Sequence, residues 1–494
     1  MISPWAQEEV ASMDLGDQRL DARAAVLLSS LGNRPNLSIP AACAGRAEMR
    51  AAYRFFDNDK VTFDKVLAPH AERTLHRMGS QPVVLLVQDT SEVDLTRPHQ
   101  DVEGVGELDG GPRRGVLLHA MHAYTPDGTP LGTVSAECVN RMAGVSHAAE
   151  PRKRRDRNRK PIEQKESMRW LNGVRQARQI AARLPHVQCV CMGDSEADIY
   201  EVFAEPRCEA AGGPAADWLV RACQDRALQA DEPNEPQAAR RQRRGHAHLR
   251  QTLLATPVLY EAELLIRGRE AKTEVESRAR RGTRQSRRAT VTVRAATVTL
   301  RAPWRSDRRL PPVTVNVVLV REDDPPAGEA PVEWVLVTTL PIGTLAQVRR
   351  VVEYYCVRWN IEILFRTLKT GCRIERRRFE HVDRMLPCLM MYLIVAWRTM
   401  FVCRMGRDCP DADCQTLFEP SEWKAVWTAV RHKKPPKKRP TLSEMVHLIA
   451  RLGGYVEHPK QEPGPQALWI GLQRMYDLAW AWDTFGPTGK IRDP

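Results

Sequence analysis

At 494 residues the chain exceeds what one hydrophobic core usually organises, so two to four domains are expected. Its 43% hydrophobic and 27% charged residues, with a mean hydropathy of −0.44, exclude general disorder and fit a soluble globular protein. The 74 Lys and Arg outnumber the 61 Asp and Glu for a net charge of +13, which suits a polyanion such as nucleic acid because each phosphate neutralised releases condensed counterions. A basic surface also serves simple solubility, so charge alone leaves both readings open.

Residues 1 to about 70 read as helical, with apolar positions at helical spacing over Leu20–Leu31 and Ala41–Phe56. Arg19, Arg23, Arg46, Arg50 and Arg54 accompany these helices, and a solvated basic face explains them as they stand. Val83–Val87 is a buried-strand run ending in the polar pair Gln88-Asp89. Val116–Tyr124 and Leu131–Cys138 flank Thr125-Pro126-Asp127-Gly128, a hairpin turn with Pro and Gly at the positions that need them. After the basic tract Arg152–Lys160 comes a helix over Glu163–Leu184, then a strand over Val187–Met192 that ends at Gly193-Asp194. Two aspartates thus stand at the ends of two buried strands, and they converge if those strands are neighbours.

From about 215 to 330 the character changes to Arg-rich linkers around alternating strands, Thr290–Val293, Thr297–Leu300 and Val313–Val320, which suggests an inserted β domain. Arg240–Arg244 and Arg278–Arg288 within it suit a DNA track and a solvated loop equally well. Glu333–Thr339 is again strand-like, and Thr344–Thr370 reads as one long helix without internal Pro or Gly. Met385–Trp397 is apolar but shorter than the roughly 20 residues that span a bilayer, so it is expected as a core helix, with no membrane partner. Met1–Val10 carries Glu8 and Glu9 and no apolar signal region, which points to a cytoplasmic location. A Lys-Pro linker, Lys433–Pro440, precedes a Trp- and Leu-rich helical segment, Thr441–Trp482, broken at Gly453-Gly454 and suited to packing or dimerisation. The 12 cysteines are scattered and form no CxxC pair, so they are read as structural.

The chemistry concentrates in the long helix. Tyr355, Arg358, Glu362 and Lys369 stand at offsets 0, 3, 7 and 14, which at about 100° per residue makes one polar stripe beside the apolar stripe of Ile361, Leu364, Phe365 and Leu368. Taken alone, Arg358 and Glu362 are an ordinary i, i+4 ion pair. If Glu362 instead meets Asp89 and Asp194, three carboxylates offer the oxygen ligands that Mg²⁺ prefers, with phosphate supplying the rest. Two such ions activate an attacking oxygen and stabilise a leaving one. Arg358 and Lys369 would then hold phosphates, and Tyr355 would donate to a phosphate oxygen.

The stretch Tyr355-Cys-Val-Arg358-Trp-Asn-Ile-Glu362, followed by six residues and Lys369, resembles the Tyr-x2-Arg-x3-Glu-x6-Lys signature of bacterial insertion-sequence transposases that use two Asp and one Glu. Val-Gln-Asp89-Thr-Ser and Gly-Asp194-Ser-Glu-Ala-Asp-Ile-Tyr are similar to the segments that carry the family's two aspartates. The resemblance is nearest to the branch serving a kanamycin-resistance composite transposon and spans nearly the whole chain. Leu15-Gly-Asp-Gln-Arg19 and Ala52-Tyr-Arg-Phe55 look like its DNA-binding region, and Ala450-Arg-Leu-Gly-Gly454 like its dimerisation region.

The resemblance implies an α/β protein with an RNase H-like core interrupted by a β insertion, between helical N- and C-terminal domains. The expected boundaries are 1–70 for DNA-end binding, 71–214 and 331–405 for the core, 215–330 for the insertion and 406–494 for dimerisation. It implies a homodimer that pairs two transposon ends, Arg19, Arg23 and Arg54 on double-stranded DNA, and two Mg²⁺ ions, with Mn²⁺ as substitute, on Asp89, Asp194 and Glu362. It also implies strand nicking, a hairpin intermediate and joining of 3′ ends to target DNA. Trp334 matches the family tryptophan that stacks on a flipped base, although its strand position suits core packing as well. Ser195 departs from the pattern, since a basic residue is expected after the second aspartate. Asp198 and Glu196 compete as metal ligands, and local capping or pairing is the expected role of Asp198. Two rival readings are an RNase H-like nuclease without strand transfer and a non-catalytic end-binding protein. No GxxxxGK[ST] loop is present, so ATP is not expected.

Overall fold

The computed structural model describes residues 2–43, 45–97, 101–109, 112–141, 160–229, 247–266, 286–329, 331–458 and 462–486. The basic tracts at 152–159, 240–244 and 278–285 lie outside these residues.

The N-terminal apolar periodicity forms short helices α1 (Pro4–Glu9), α2 (Gln18–Asn33), α3 (Ile39–Ala42), α4 (Arg46–Phe56) and α5 (Phe63–Gly79). Asp17 caps α2 by accepting the Arg19 N–H, and Thr62 caps α5. Then come β1 (Val83–Asp94), β2 (Gly106–Glu107), β3 (Arg114–Tyr124) and β4 (Pro130–Val139). The β3–β4 hairpin turns where expected, with Gly128 at φ +90°. Strand β1 does not end at Asp89: the alternating residues Thr90–Asp94 carry it on beside β3, and Leu95 N–H reaches Arg114 O at 2.8 Å.

Next are α6 (Met168–Arg183), β5 (Gln188–Gly193), α7 (Tyr200–Ala204), β6 (Asp217–Ala222), α8 (Leu249–Leu254), β7 (Tyr260–Ile266), β8 (Arg287–Leu300), β9 (Val313–Arg321) and β10 (Glu333–Thr338). Strand β8 is one continuous element where two short strands were expected. The single helix expected over 344–370 is divided into α9 (Leu345–Val357), α10 (Asn360–Arg366) and a π turn, Thr367–Gly371. Thr344 and Gln347 form a capping box at its start. The chain closes with α11 (Val382–Asp408), α12 (Pro420–Arg431), α13 (Leu442–Leu452) and α14 (Pro465–Phe485).

These elements form two compact units. One holds residues 82–88 and 148–358. Its sheet runs β1-β5-β6-β10-β9-β8-β7, with β1, β5 and β6 parallel and the remainder antiparallel. The strands of region 215–330 therefore extend the sheet that carries β5. Helix α6 packs on β5, where Gly173 lies so close to Gln88 that a Cβ would fall 2.0 Å from its amide oxygen. The other unit holds residues 1–81, 89–147 and 359–494, with β2, β3, β4, the later half of β1 and most helices. The order β4-β3-β1-β5-β6 is that of an RNase H-like fold.

Helix α11 alone among the described residues is long and apolar enough to cross a membrane, and 83% of its apolar window is buried against α2, α5, α13, α14 and β4. It is the core helix its composition suggested. Around it Val402, Phe418, Trp423, Val426, Met445, Ile449, Leu468 and Met475 form a separate C-terminal core. All twelve cysteines are free thiols. Cys191 accepts a weak hydrogen bond from Gln88 Nε2 at 3.3 Å, which suits a packing role.

Candidate active site

In the unit built on β5, the strand ends at Gly193 and Asp194 caps a 3₁₀ turn, Ser195–Ala197, its Oδ1 accepting the Glu196 N–H at 2.8 Å. The parallel β1–β5 pairing ends at Val87↔Met192, so Asp89 and Asp194 each stand two residues past the last paired couple. Both are half-buried.

The C-terminal end of α9 carries Tyr355 and Arg358, both buried where an open polar stripe was expected. Burial pushes the Tyr355 phenol up and the charge of Asp194 adds to this, against the pull of Arg358 and Arg221. Its hydroxyl is buried without a hydrogen bond of ordinary geometry. The Arg358 guanidinium lies 5.8 Å from the Tyr355 ring centre, and the half-buried Trp334 packs edge-on against that ring at 5.3 Å. Trp334 also packs against the small cluster of Ile266, Ala289 and Val332. Tyr355, Trp334, Arg358, Arg221 and Asp194 therefore form one neighbourhood.

Arg221 was not singled out by sequence, although a lone arginine in the run Trp218-Leu-Val-Arg221-Ala was a usable signal. It projects from β6, and its Nη2 donates to Ser195 Oγ at 3.3 Å. A cation therefore stands beside the position where Ser195 replaces the expected basic residue. Asp198 is fully tied: it accepts the Cys223 and Gln224 N–H groups, each at 2.8 Å, and pairs with Arg226. Glu196 pairs with Arg169 at 2.9 Å. These partners set both apart from the metal-ligand role.

In the other unit Asp89 lies inside β1, its Oδ1 accepting the Thr90 N–H at 2.7 Å, while Thr90 Oγ1 meets His119 Nδ1 at 2.9 Å. Glu362 sits in the first turn of α10, half-buried, where the helix N-terminus favours a carboxylate. Lys369 lies in the π turn rather than on a continued α stripe; its Nζ is 3.9 Å from Glu375 Oε1, which also accepts the Asp94 N–H at 3.1 Å. Arg19 and Arg54 are exposed, whereas Arg23 is paired with Glu48.

Among the described residues no three His, Cys, Asp or Glu side chains are grouped tightly enough to grip a metal ion. The donor chemistry of Asp89, Asp194 and Glu362 nevertheless fits a hard divalent cation, since all are half-buried carboxylates.

Residues 172–397 match the family model of the transposase DDE domain, residues 2–61 that of a transposase DNA-binding domain, and residues 394–480 that of the transposase Tn5 dimerisation domain. A solved structure of the piggyBac transposase synaptic complex with hairpin DNA aligns over 96% of this chain and 81% of its own at 8% identity. Its TM-score of 0.31 is too weak to transfer anything. DNA-binding, DDE and dimerisation segments in that order define a DDE-type DNA transposase, an enzyme that depends on divalent metal. Its terminal domains mark it as Tn5-like among insertion-sequence transposases.

Proposed function

We propose that this transposase binds the inverted repeats at its element's ends as a dimer, cuts them through a hairpin intermediate and joins the freed 3′ ends to target DNA. In this reading it is nearest in kind to the transposase of the kanamycin-resistance composite transposon. The observation that carries the assignment of the carboxylates is the β1–β5 register. Side chains two residues apart on a strand share a face, so Asp89 and Asp194 continue the face of the paired Val87 and Met192. Glu362, in the first turn of α10, is the third ligand in this reading.

Two Mg²⁺ ions, with Mn²⁺ as substitute, would be held by Asp89, Asp194 and Glu362, lowering the pKa of the attacking hydroxyl and offsetting charge on the leaving oxygen. The chain's own groups do the rest. Arg358 and Arg221 fix the scissile phosphate, and Tyr355 donates its unused O–H to a phosphate oxygen. Trp334, already edge-on to Tyr355, offers a ring face to a base rotated out of the stack, which relieves strain as the hairpin closes. Lys369 holds the backbone farther along, while Arg19, Arg23 and Arg54 contact duplex phosphates at the repeat. The domains would divide at 1–70, 71–214, 215–330, 331–405 and 406–494.

The test is incubation of the protein with Mg²⁺ and a duplex carrying the repeat that flanks its gene, with products resolved on a denaturing gel. Nicks, hairpins and joined strands are expected. Cleavage without joining would make the protein a nuclease, and binding without cleavage in Mg²⁺ or Mn²⁺ would make it an end-binding protein.

A further inference from the structure

A pocket among the described residues lies far along the chain from the carboxylates, in the C-terminal core. It has a volume of about 500 Å³ and is lined by Trp423, Trp482, Pro435, Pro436, Lys424 and Lys437, with Arg439 at its edge. Trp423 is 4% exposed, and its indole N–H is buried with no acceptor. Lys424, Lys437 and Arg439 make the pocket wall cationic, which suits an anionic oxygen.

The segment above it is a strap from Arg431 to Pro440. Its two arginines pin it at either end: Arg431 pairs with Glu444 at 3.4 Å and Arg439 with Asp413 at 2.6 Å. Between them Lys433, Lys434, Lys437 and Lys438 are exposed or half-buried and, among the described residues, in no ion pair. Pro435 and Pro436 stand between the two lysine pairs, with bends at Lys433 and at Lys437 and Lys438. Four like charges held together without counter-charges repel one another, a cost the protein bears where a polyanion will sit.

We propose that the strap and the tryptophan-floored pocket form a second, sequence-independent DNA-backbone site within the dimerisation domain. One phosphate enters the pocket to meet Lys424 and Lys437. The neighbouring phosphates lie along Lys433, Lys434 and Lys438. The transposase assignment enters only in the choice of DNA as the polyanion, which the enzyme already handles at its ends. A surface of this kind would steady flanking or target duplex while the carboxylates act elsewhere.

The experiment uses full-length protein and a fluorescent duplex without the terminal repeat, titrated by anisotropy at salt concentrations from about 50 to 200 mM. Wild type is compared with the K433Q/K434Q/K437Q/K438Q variant and with Lys424→Gln, which removes a charge from the pocket wall. The quadruple variant should bind at least about tenfold more weakly at low salt, and its log–log salt slope should be shallower by about 0.9 for each phosphate it no longer neutralises. Lys424→Gln should weaken binding severalfold and make the slope shallower by about 0.9, and inorganic phosphate at millimolar levels should not displace the duplex. Unchanged affinity and slope in the quadruple variant would overturn the proposal. So would loss of dimerisation by sedimentation with DNA affinity intact, because the patch would then be a protein-binding surface. Wild-type cleavage of end duplexes, run in parallel, separates these outcomes from failure of the transposase reading itself.

Discussion

A carboxylate that ligates metal and one that merely pairs with arginine differ in what neutralisation does. Glu362→Gln keeps shape and removes charge, so it should leave end binding within about twofold while cleavage falls by on the order of a thousandfold, the rate equivalent of several kcal/mol of metal contribution. Single-turnover cleavage beside a binding isotherm separates the two effects. Tyr355 gives the opposite test of cost and use. Its hydroxyl is buried without a hydrogen bond of ordinary geometry, so Tyr355→Phe should raise stability by up to about 1 kcal/mol in chemical denaturation and at the same time slow strand cleavage. Lower stability in that variant would mean the hydroxyl already has a good partner. At this scale the sequence proposes the signature residues by their offsets, while the structure places Lys369 in a π turn rather than on one α stripe. Arg221 was visible only as a lone arginine in an apolar run, and its reach to Ser195 from a neighbouring strand was not.

At the scale of elements, apolar runs and turns located the strands, but their ends were misread. Val83–Val87 stopped looking apolar at Gln88, yet β1 continues to Asp94 because β3 takes up its backbone groups. Pattern within one strand does not register a partner supplied from elsewhere. The 344–370 region has unbroken helical composition, and the changes at Arg358–Trp359 and at the π turn follow from packing that composition does not encode. The Gly453-Gly454 break was legible, but the reason for Gly471 was not. Helices α13 and α14 touch backbone to backbone there: a Cβ on Gly471 would lie 1.9 Å from Ile449 O, and one on Gly453 1.8 Å from Ala467 O. Gly471→Ala should therefore cost about 1–3 kcal/mol and weaken dimerisation. Thermal unfolding and sedimentation will show this, and a variant with wild-type stability would mean that α14 can shift without cost.

For the whole molecule, the buried Glu9 and the half-buried Glu422 set opposite slopes of stability with pH. Burial pushes Glu422 up to about 7. Its favourable contribution is complete below the ordinary glutamate value near 4.5 and is lost as pH rises through 7. Burial would also raise Glu9, but His70, whose Nδ1 is 2.5 Å away, and Arg77 at 2.7 Å hold it down at about 2. Its contribution is present above about 4.5 and is lost as pH falls through 2. The melting temperature should thus decline from about pH 5 to 8, and Glu422→Gln should flatten that decline without altering the acid limb. A decline of equal size in the variant would place the titrating group elsewhere.

The same scale decides whether carboxylates on three separate elements act as one centre. The sulfur of cysteine is a poor ligand for Mg²⁺ and a tolerable one for Mn²⁺. Asp89→Cys, Asp194→Cys and Glu362→Cys should each abolish end cleavage in Mg²⁺ and regain a measurable part of it in Mn²⁺, with end binding retained throughout. Full Mg²⁺-dependent cleavage by any one of the three variants would remove that residue from the metal centre and contradict the account.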